Sequence, residues 1–185
     1  HASLNWEVTL EEMMTQYGAV PDHYAIVRSD TKAVLDVVGK GYNPFQNREA
    51  AELTDALVGE KIAMYETAGA IDGGKRIWIQ CKVPGQFRVP GTTADELEFY
   101  TTLTNSHGVN ALRLFGTNNR IECQNTLNMA LKGVGSQGMT IRHTGSLKAK
   151  VAEARASLGI IGRRVEEFKE EVAVLARTEI SDKQP

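Results

Sequence analysis

Cysteine is scarce in this chain: Cys81 and Cys123 are the only two in 185 residues. Two thiols cannot make the disulfide framework of a small secreted domain. Both lie in runs that read as strands, so buried thiols in a reducing, cytoplasmic setting are expected. Long hydrophobic runs are missing too. No stretch approaches the ~18 apolar residues of a membrane span, so no membrane partner is expected. The first residues carry no signal-peptide pattern. The chain opens on His1 without an initiator methionine, which leaves room for a segment ahead of it. There is no internal repeat and no low-complexity tract. Metal-ligand pairs at short spacing are absent: His107, His143 and Cys123 stand alone, and Glu66, Asp72 and Glu122 are scattered. Gly133-Val134-Gly135 lacks the Gly-Lys-Ser/Thr of a phosphate loop. No metal, cofactor or catalytic residue is therefore assigned. The remaining catalytic alternative is Cys123 paired with His107 or His143 as a nucleophile. Cys123 alternates with Ile121, which favours a core thiol.

What is present is an ordinary globular composition, 42% hydrophobic and 24% charged, with length enough for one domain with a core. The net charge is only −2, but it is unevenly spread. Residues 1–60 hold 4 basic and 10 acidic side chains, residues 61–164 hold 14 and 7, and residues 165–185 hold 3 and 6. A basic middle between acidic ends suggests a polyanion site, or assembly between unlike surfaces.

The apolar pattern sets the expected elements. Leu10 to Met14 reads as a short helix broken at Pro21-Asp22. Tyr24–Arg28 and Ala33–Val38 read as a hairpin. Asn47 is placed to cap a helix through Leu53 and Leu57 that ends at Gly59. Ile62–Ile71 and Arg76–Val83 make a second hairpin across Asp72-Gly73-Gly74-Lys75, since glycine tolerates the positive φ of such turns. On the second of these strands Ile77, Ile79, Cys81 and Val83 share one face, and Trp78, Gln80 and Lys82 the other. A half-buried strand covers Leu97–Leu103. Asn105-Ser106-His107-Gly108 is then a turn, followed by strands at Val109–Phe115 and Arg120–Gln124. Asn125 or Thr126 caps a short helix over Leu127–Leu131, and Met139–His143 is a last strand. From Leu147 to about Ile180 apolar residues recur in steps of three or four, the mark of a long amphipathic helix. The expected fold is α+β: an antiparallel, hairpin-rich sheet backed by helices, with a long C-terminal helix. Residues 1–146 form the core, and 147–185 a helical extension that belongs to the same domain or serves oligomerisation.

Several stretches carry a family resemblance, in order along the chain. They are Tyr24-Ala25-Ile26-Val27-Arg28-Ser29-Asp30-Thr31, Gly41-Tyr42-Asn43-Pro44-Phe45-Gln46-Asn47, Glu66-Thr67-Ala68-Gly69 with Gly74-Lys75 and Trp78, Asn105-Ser106-His107, Arg120-Ile121-Glu122-Cys123-Gln124-Asn125-Thr126-Leu127, and Ile141-Arg142-His143-Thr144. Together, over roughly Trp6 to Arg155, they resemble the phage/plasmid-like family termed domain of unknown function 932. The chain departs from that pattern in lacking an Asp between His107 and Gly108, and in having Glu122 where an apolar residue is usual. It also ends earlier than full-length members, so a C-terminal part is expected to be absent. The resemblance implies carriage by phages, prophages and conjugative plasmids, and brings no activity with it. It places single-stranded DNA, recombination or counter-defence in view. Phage annealing proteins offer only a fold-level analogy.

The residues add a partner class. Lys75, Arg76, Lys82, Arg88, Arg113, Arg120, Arg142, His143, Lys148 and Lys150 come from strands, turns and the start of the last helix, and an antiparallel sheet can align them in one groove for phosphates. Trp78, on the polar face of its strand, is the candidate for base stacking, with Tyr100 next; the alternative for Trp78 is an ordinary core tryptophan. Asn105, Ser106, His107, Asn125 and Thr126 are further candidate polar contacts. The leading expectation is a non-enzymatic module that binds or anneals single-stranded DNA as a homo-oligomer. The alternative is a protein-interaction factor that counters a host defence enzyme, and an uncharacterised enzyme comes third.

Overall fold

The computed structural model describes residues 4–58, 63–84, 87–88, 96–108, 112–134, 139–141 and 147–178. Two antiparallel sheets carry the chain. Strands β1 (Val8–Thr15), β2 (Gly18–Arg28) and β3 (Val34–Gly39) form the first, in that order. The second has the order β10-β9-β8-β5-β4, from β4 (Met64–Ile71), β5 (Arg76–Lys82), β8 (Tyr100–Ser106), β9 (Leu112–Thr117) and β10 (Met139–Ile141). A two-stranded ribbon pairs β6 (Phe87–Arg88) with β7 (Glu96–Leu97). The helices are α1 (Asn47–Val58), α2 (Gln124–Val134) and α3 (Leu147–Arg177). This is the expected α+β fold, with its hairpins, backing helices and long C-terminal helix.

The larger sheet is buried on both faces. Ile77, Ile79, Cys81, Leu103, Leu112 and Leu114 face one way, into a core with Val8, Ile26 and Val38 of the first sheet, Phe45 and Leu53 at α1, and Ala154 of α3. Trp78 and Phe115 face the other way and are covered by Ile121, Leu127 and Ala130. The turn between β4 and β5 takes positive φ at Asp72, Gly73 and Gly74 (52°, 69° and 109°), as its glycines allow.

Four local expectations are corrected. Leu10 to Met14 is not helical: it lies in β1, where Leu10 pairs with Ile26 and Glu12 with Tyr24. Helix-forming residues here yield to the pairing partner the rest of the chain supplies. Asn47 does not cap α1; Glu49 does, accepting a hydrogen bond from Gln46 N at 2.8 Å, and the Asn47 amide points elsewhere. Asn105 and Ser106 end β8 rather than make a turn, and that strand is buried throughout. Arg120–Gln124 is not a strand. Gln80 and Thr67 capture the backbone of Ile121, so the chain crosses over the sheet there and enters α2. Cys123 is consequently exposed, whereas Cys81 is buried as expected. The expectations at Gly59 and Val109 fall outside the described residues.

Candidate functional site

The positions of the expected contact residues follow from the sheet register. In β5, Arg76 lies opposite Ser106, Trp78 opposite Thr104, and Lys82 opposite Tyr100; in β9, Arg113 lies opposite Thr104. Side chains at these positions share one face of the sheet, because successive residues alternate. Arg76, Trp78, Lys82 and Arg113 thus lie on one face of the sheet. They do not stay equally available. Trp78 is 5% exposed and Tyr100 3%, so neither presents an open ring for a base. The polar face of β5 is a second core because α2 lies over it. Trp78 Nε1 donates to Thr67 Oγ1 at 3.4 Å, and Gln80, fully buried, donates to Asn119 O and accepts from Ile121 N.

Carboxylates neutralise several of the cations. Lys82 pairs with Glu98, which also accepts from the Tyr100 hydroxyl. The Lys82 contact and then the Tyr100 bond hold Glu98 below the usual carboxylate range, while burial first, and Glu98 second, push Tyr100 up to about 12. Arg120 lies between Glu66 at 2.7 Å and Glu122 at 2.5 Å, and the Glu66 bond raises its pKa. Lys75 pairs with Asp36 at 3.1 Å. Arg76 and Arg113, both partly exposed, have no carboxylate partner among the described residues. Lys148 is in the first turn of α3 and Arg88 in β6. Arg142 and His143 lie outside the described residues.

The other candidate polar residues have structural partners. His107 is fully buried at a seam between the two sheets. Its Nε2 lies 2.9 Å from Asn47 Oδ1, and Asn47 Nδ2 donates to Trp6 O at 3.1 Å. The His107 ring is 5.3 Å from that of Trp6, and the Arg28 guanidinium sits 4.3 Å from the Trp6 ring centroid while donating to Asp30 Oδ1 and Gly73 O. Asn105 Nδ2 donates to Phe45 O at 3.1 Å, and the Tyr42 hydroxyl accepts from Gly108 N at 3.1 Å. Gln46 bonds both Val8 N and Val8 O at 2.9 Å, as a neighbouring strand would. Three of the stretches that carried the resemblance, 24–31, 41–47 and 105–107, therefore meet here, and what they build is a staple between sheets. Asn105 and His107 are closed off from any ligand in this structure, because a buried polar group in a core is bonded to the chain itself. Ser106 is 8% exposed.

Thr126 does cap α2. Its hydroxyl accepts from Glu122 N and Cys123 N at 3.0 and 3.1 Å. Asn125 is exposed in the first turn. Cys123 stands at the helix start, where the Thr126 N–H, the Thr126 hydroxyl and the Asn125 N–H lower its pKa below the ordinary thiol value. Trp6 reads from sequence as an anchor onto the core, and it is 3% exposed there. Sequence reasoning missed Arg28, Gln46 and Gln80, which lie in strand or loop stretches, and nothing in a two-residue alternation shows that the polar face will also be covered. Among the described residues no three His, Cys, Asp or Glu side chains gather as metal ligands, and no helix is long and apolar enough to cross a membrane.

The model of the family described as domain of unknown function (DUF932) matches residues 34–185. The chain belongs to that family. The match starts at the first residue of β3, after the β1–β2 hairpin, and spans the larger sheet and all three helices. No curated protein and no solved structure matches the chain.

Proposed function

We propose that this chain is a single-strand nucleic-acid-binding module that acts as a homo-oligomer in the cytoplasm, in annealing, recombination or DNA transfer between mobile elements. The observation that supports it is the pair Arg76 and Arg113. They share one sheet face on strands flanking β8, two strand spacings across and two residues along, or about 12 Å apart, with Ser106 and Thr104 between them and no carboxylate partner among the described residues. Two guanidiniums held on a rigid sheet suit phosphate oxygens, which arginine binds in a bidentate fork. The contact is with the backbone of the strand, and base stacking on Trp78 has no part in it.

The test is binding of a single-stranded oligonucleotide across a salt series. Affinity falls as salt rises, and Arg76→Ala with Arg113→Ala lowers the slope of log K against log salt by about 1.4, at about 0.7 per phosphate neutralised. No binding at low salt overturns the reading. A second reading, a protein-interaction factor that counters a host enzyme, is favoured by the tip of the β1–β2 hairpin. Tyr17 is 91% exposed and Met14 68%, and residues 4–27 contain Glu7, Glu11, Glu12 and Asp22 but no Lys or Arg. An apolar tip on an acidic arm suits a protein surface better than a phosphate backbone.

A further inference from the structure

Helix α3 carries an apolar repeat stricter than amphipathicity requires. Leu147, Val151, Ala154, Leu158, Ile161, Val165, Phe168, Val172 and Leu175 follow one another in steps of four and three in perfect alternation. That is a period of 3.5 residues, the seam of a coiled coil, with Val151, Leu158, Val165 and Val172 at a and the others at d. A straight α-helix drifts by about 20° per heptad against such a seam. Over four heptads the stripe therefore winds away from whatever its first part faces. The structure shows both ends. Ala154 is fully buried where α3 packs on α1, β9 and β10, whereas Leu175, on the same seam, is 70% exposed and Val172 only partly covered. The helix is 31 residues, about 46 Å at ~1.5 Å per residue, and its last residues from Val174 on are exposed.

We propose that the distal part of this seam, from Leu158 to Leu175, is a docking surface for the same segment of a second copy, antiparallel. Charge decides both the partner and the direction. The g positions flanking the distal seam are Arg164 and Glu171, and the e positions are Gly162 and Lys169. In a parallel pair Arg164 would meet Lys169 of the second copy, two like charges, twice per dimer. In the antiparallel register that sets Val165 against Phe168 of the second copy, Ile161 faces Val172 and Leu158 faces Leu175. That register also brings Arg164 opposite Glu171 in both directions, and places Lys169 opposite uncharged Gly162. One register thus closes the seam and pairs the charges, and it is self-complementary, as a two-fold dimer requires. The proposal stands on the helix alone and is independent of nucleic acid.

The experiment is light scattering on the full chain at about 50 µM, without nucleic acid, with far-UV circular dichroism as the folding control. A dimer is expected. Leu175→Asp, a substitution at an exposed site, gives a folded monomer. Arg164→Glu weakens the dimer at least tenfold, because Glu then faces Glu171; a parallel pair would instead be tightened, since Glu would face Lys169. Arg164→Glu combined with Glu171→Arg restores the wild-type dissociation constant. A wild-type monomer, a Leu175→Asp dimer, or an Arg164→Glu chain that dimerises as well as wild type or better overturns the proposal.

Discussion

The indole of Trp78 occupies the space in which a β-carbon on Gly69 would stand, its Cη2 atom 2.1 Å from that position. Gly69 lies directly opposite Trp78 in the β4–β5 register, so the absence of a side chain on one strand makes room for a ring on the next. Gly69→Ala should therefore destabilise the protein by overpacking, at about 1–3 kcal/mol. Trp78→Ala removes the ring and should cost about 3–5 kcal/mol. In the double variant the clash is gone, so the two costs should not add. Urea midpoints of the four proteins measure this, and strict additivity would mean that ring and glycine are uncoupled.

The two thiols should separate in reactivity. Cys123 is exposed and its thiolate is favoured by the N–H groups at the start of α2, whereas burial holds Cys81 as a neutral thiol. At pH 7 one equivalent of a thiol reagent should react quickly with the native protein, and the second only on unfolding. Thr126→Val should slow the fast phase. It should also cost about 1 kcal/mol of stability, because the hydroxyl is the cap for Glu122 N and Cys123 N. Equal rates for both thiols would refute the assignment.

The contrast between these two cysteines shows what was legible in the sequence. Cys81 sits in a run whose alternation with Ile77, Ile79 and Val83 is set by β5 itself, and a two-residue period survives folding wherever a strand has a buried face. Cys123 alternates with Ile121 in the same manner, yet that alternation is accidental: Gln80 pins Ile121 from a strand some forty positions away. The β2–β3 and β4–β5 hairpins, α1 and α3 were readable because their signals are local. The seam was not. Arg28, Asn47, Asn105 and His107 are each polar residues in a short motif, and only the packing of one sheet on another turns such residues inward. The same holds for Trp78, whose strand face is polar in sequence and buried in fact.

Stability should fall in alkali. Burial pushes the Cys81 thiol from its ordinary value of 9.0 up to about 12, and Tyr100 from 10.0 up to about 12. The unfolded chain releases these protons at the lower values, so between them it holds fewer protons than the native state. The stabilisation is complete below about pH 9 and is lost as the pH climbs towards about 12. The urea midpoint should thus drop between pH 8 and pH 10.5. Cys81→Ala should lower the midpoint at pH 8 through lost packing, yet show a smaller drop across that interval. A midpoint that holds steady to pH 10.5 in the wild-type protein would contradict the burial of both groups.

Asn47 should be the most sensitive polar residue of the seam. Its Nδ2 can only donate, and it donates to Trp6 O, so its Oδ1 is turned towards His107. His107 Nε2 must then carry the proton that the bond requires. Asn47→Ala leaves two buried groups, a carbonyl oxygen and a ring N–H, without this partner. Each such loss costs about 1–3 kcal/mol. The expected destabilisation is therefore roughly 2–6 kcal/mol, from a residue 2% exposed whose chemistry reads from sequence as a helix cap. Asn47→Asp keeps an acceptor for His107 but loses the donor to Trp6 O and buries a carboxylate, so it should rescue little. Asn43→Ala, an exposed position in the same loop, is the control and should stay within about 0.5 kcal/mol of wild type. Urea denaturation of the three variants decides the matter: if Asn47→Ala costs no more than Asn43→Ala, the hydrogen bonds across the seam do not hold the two sheets together.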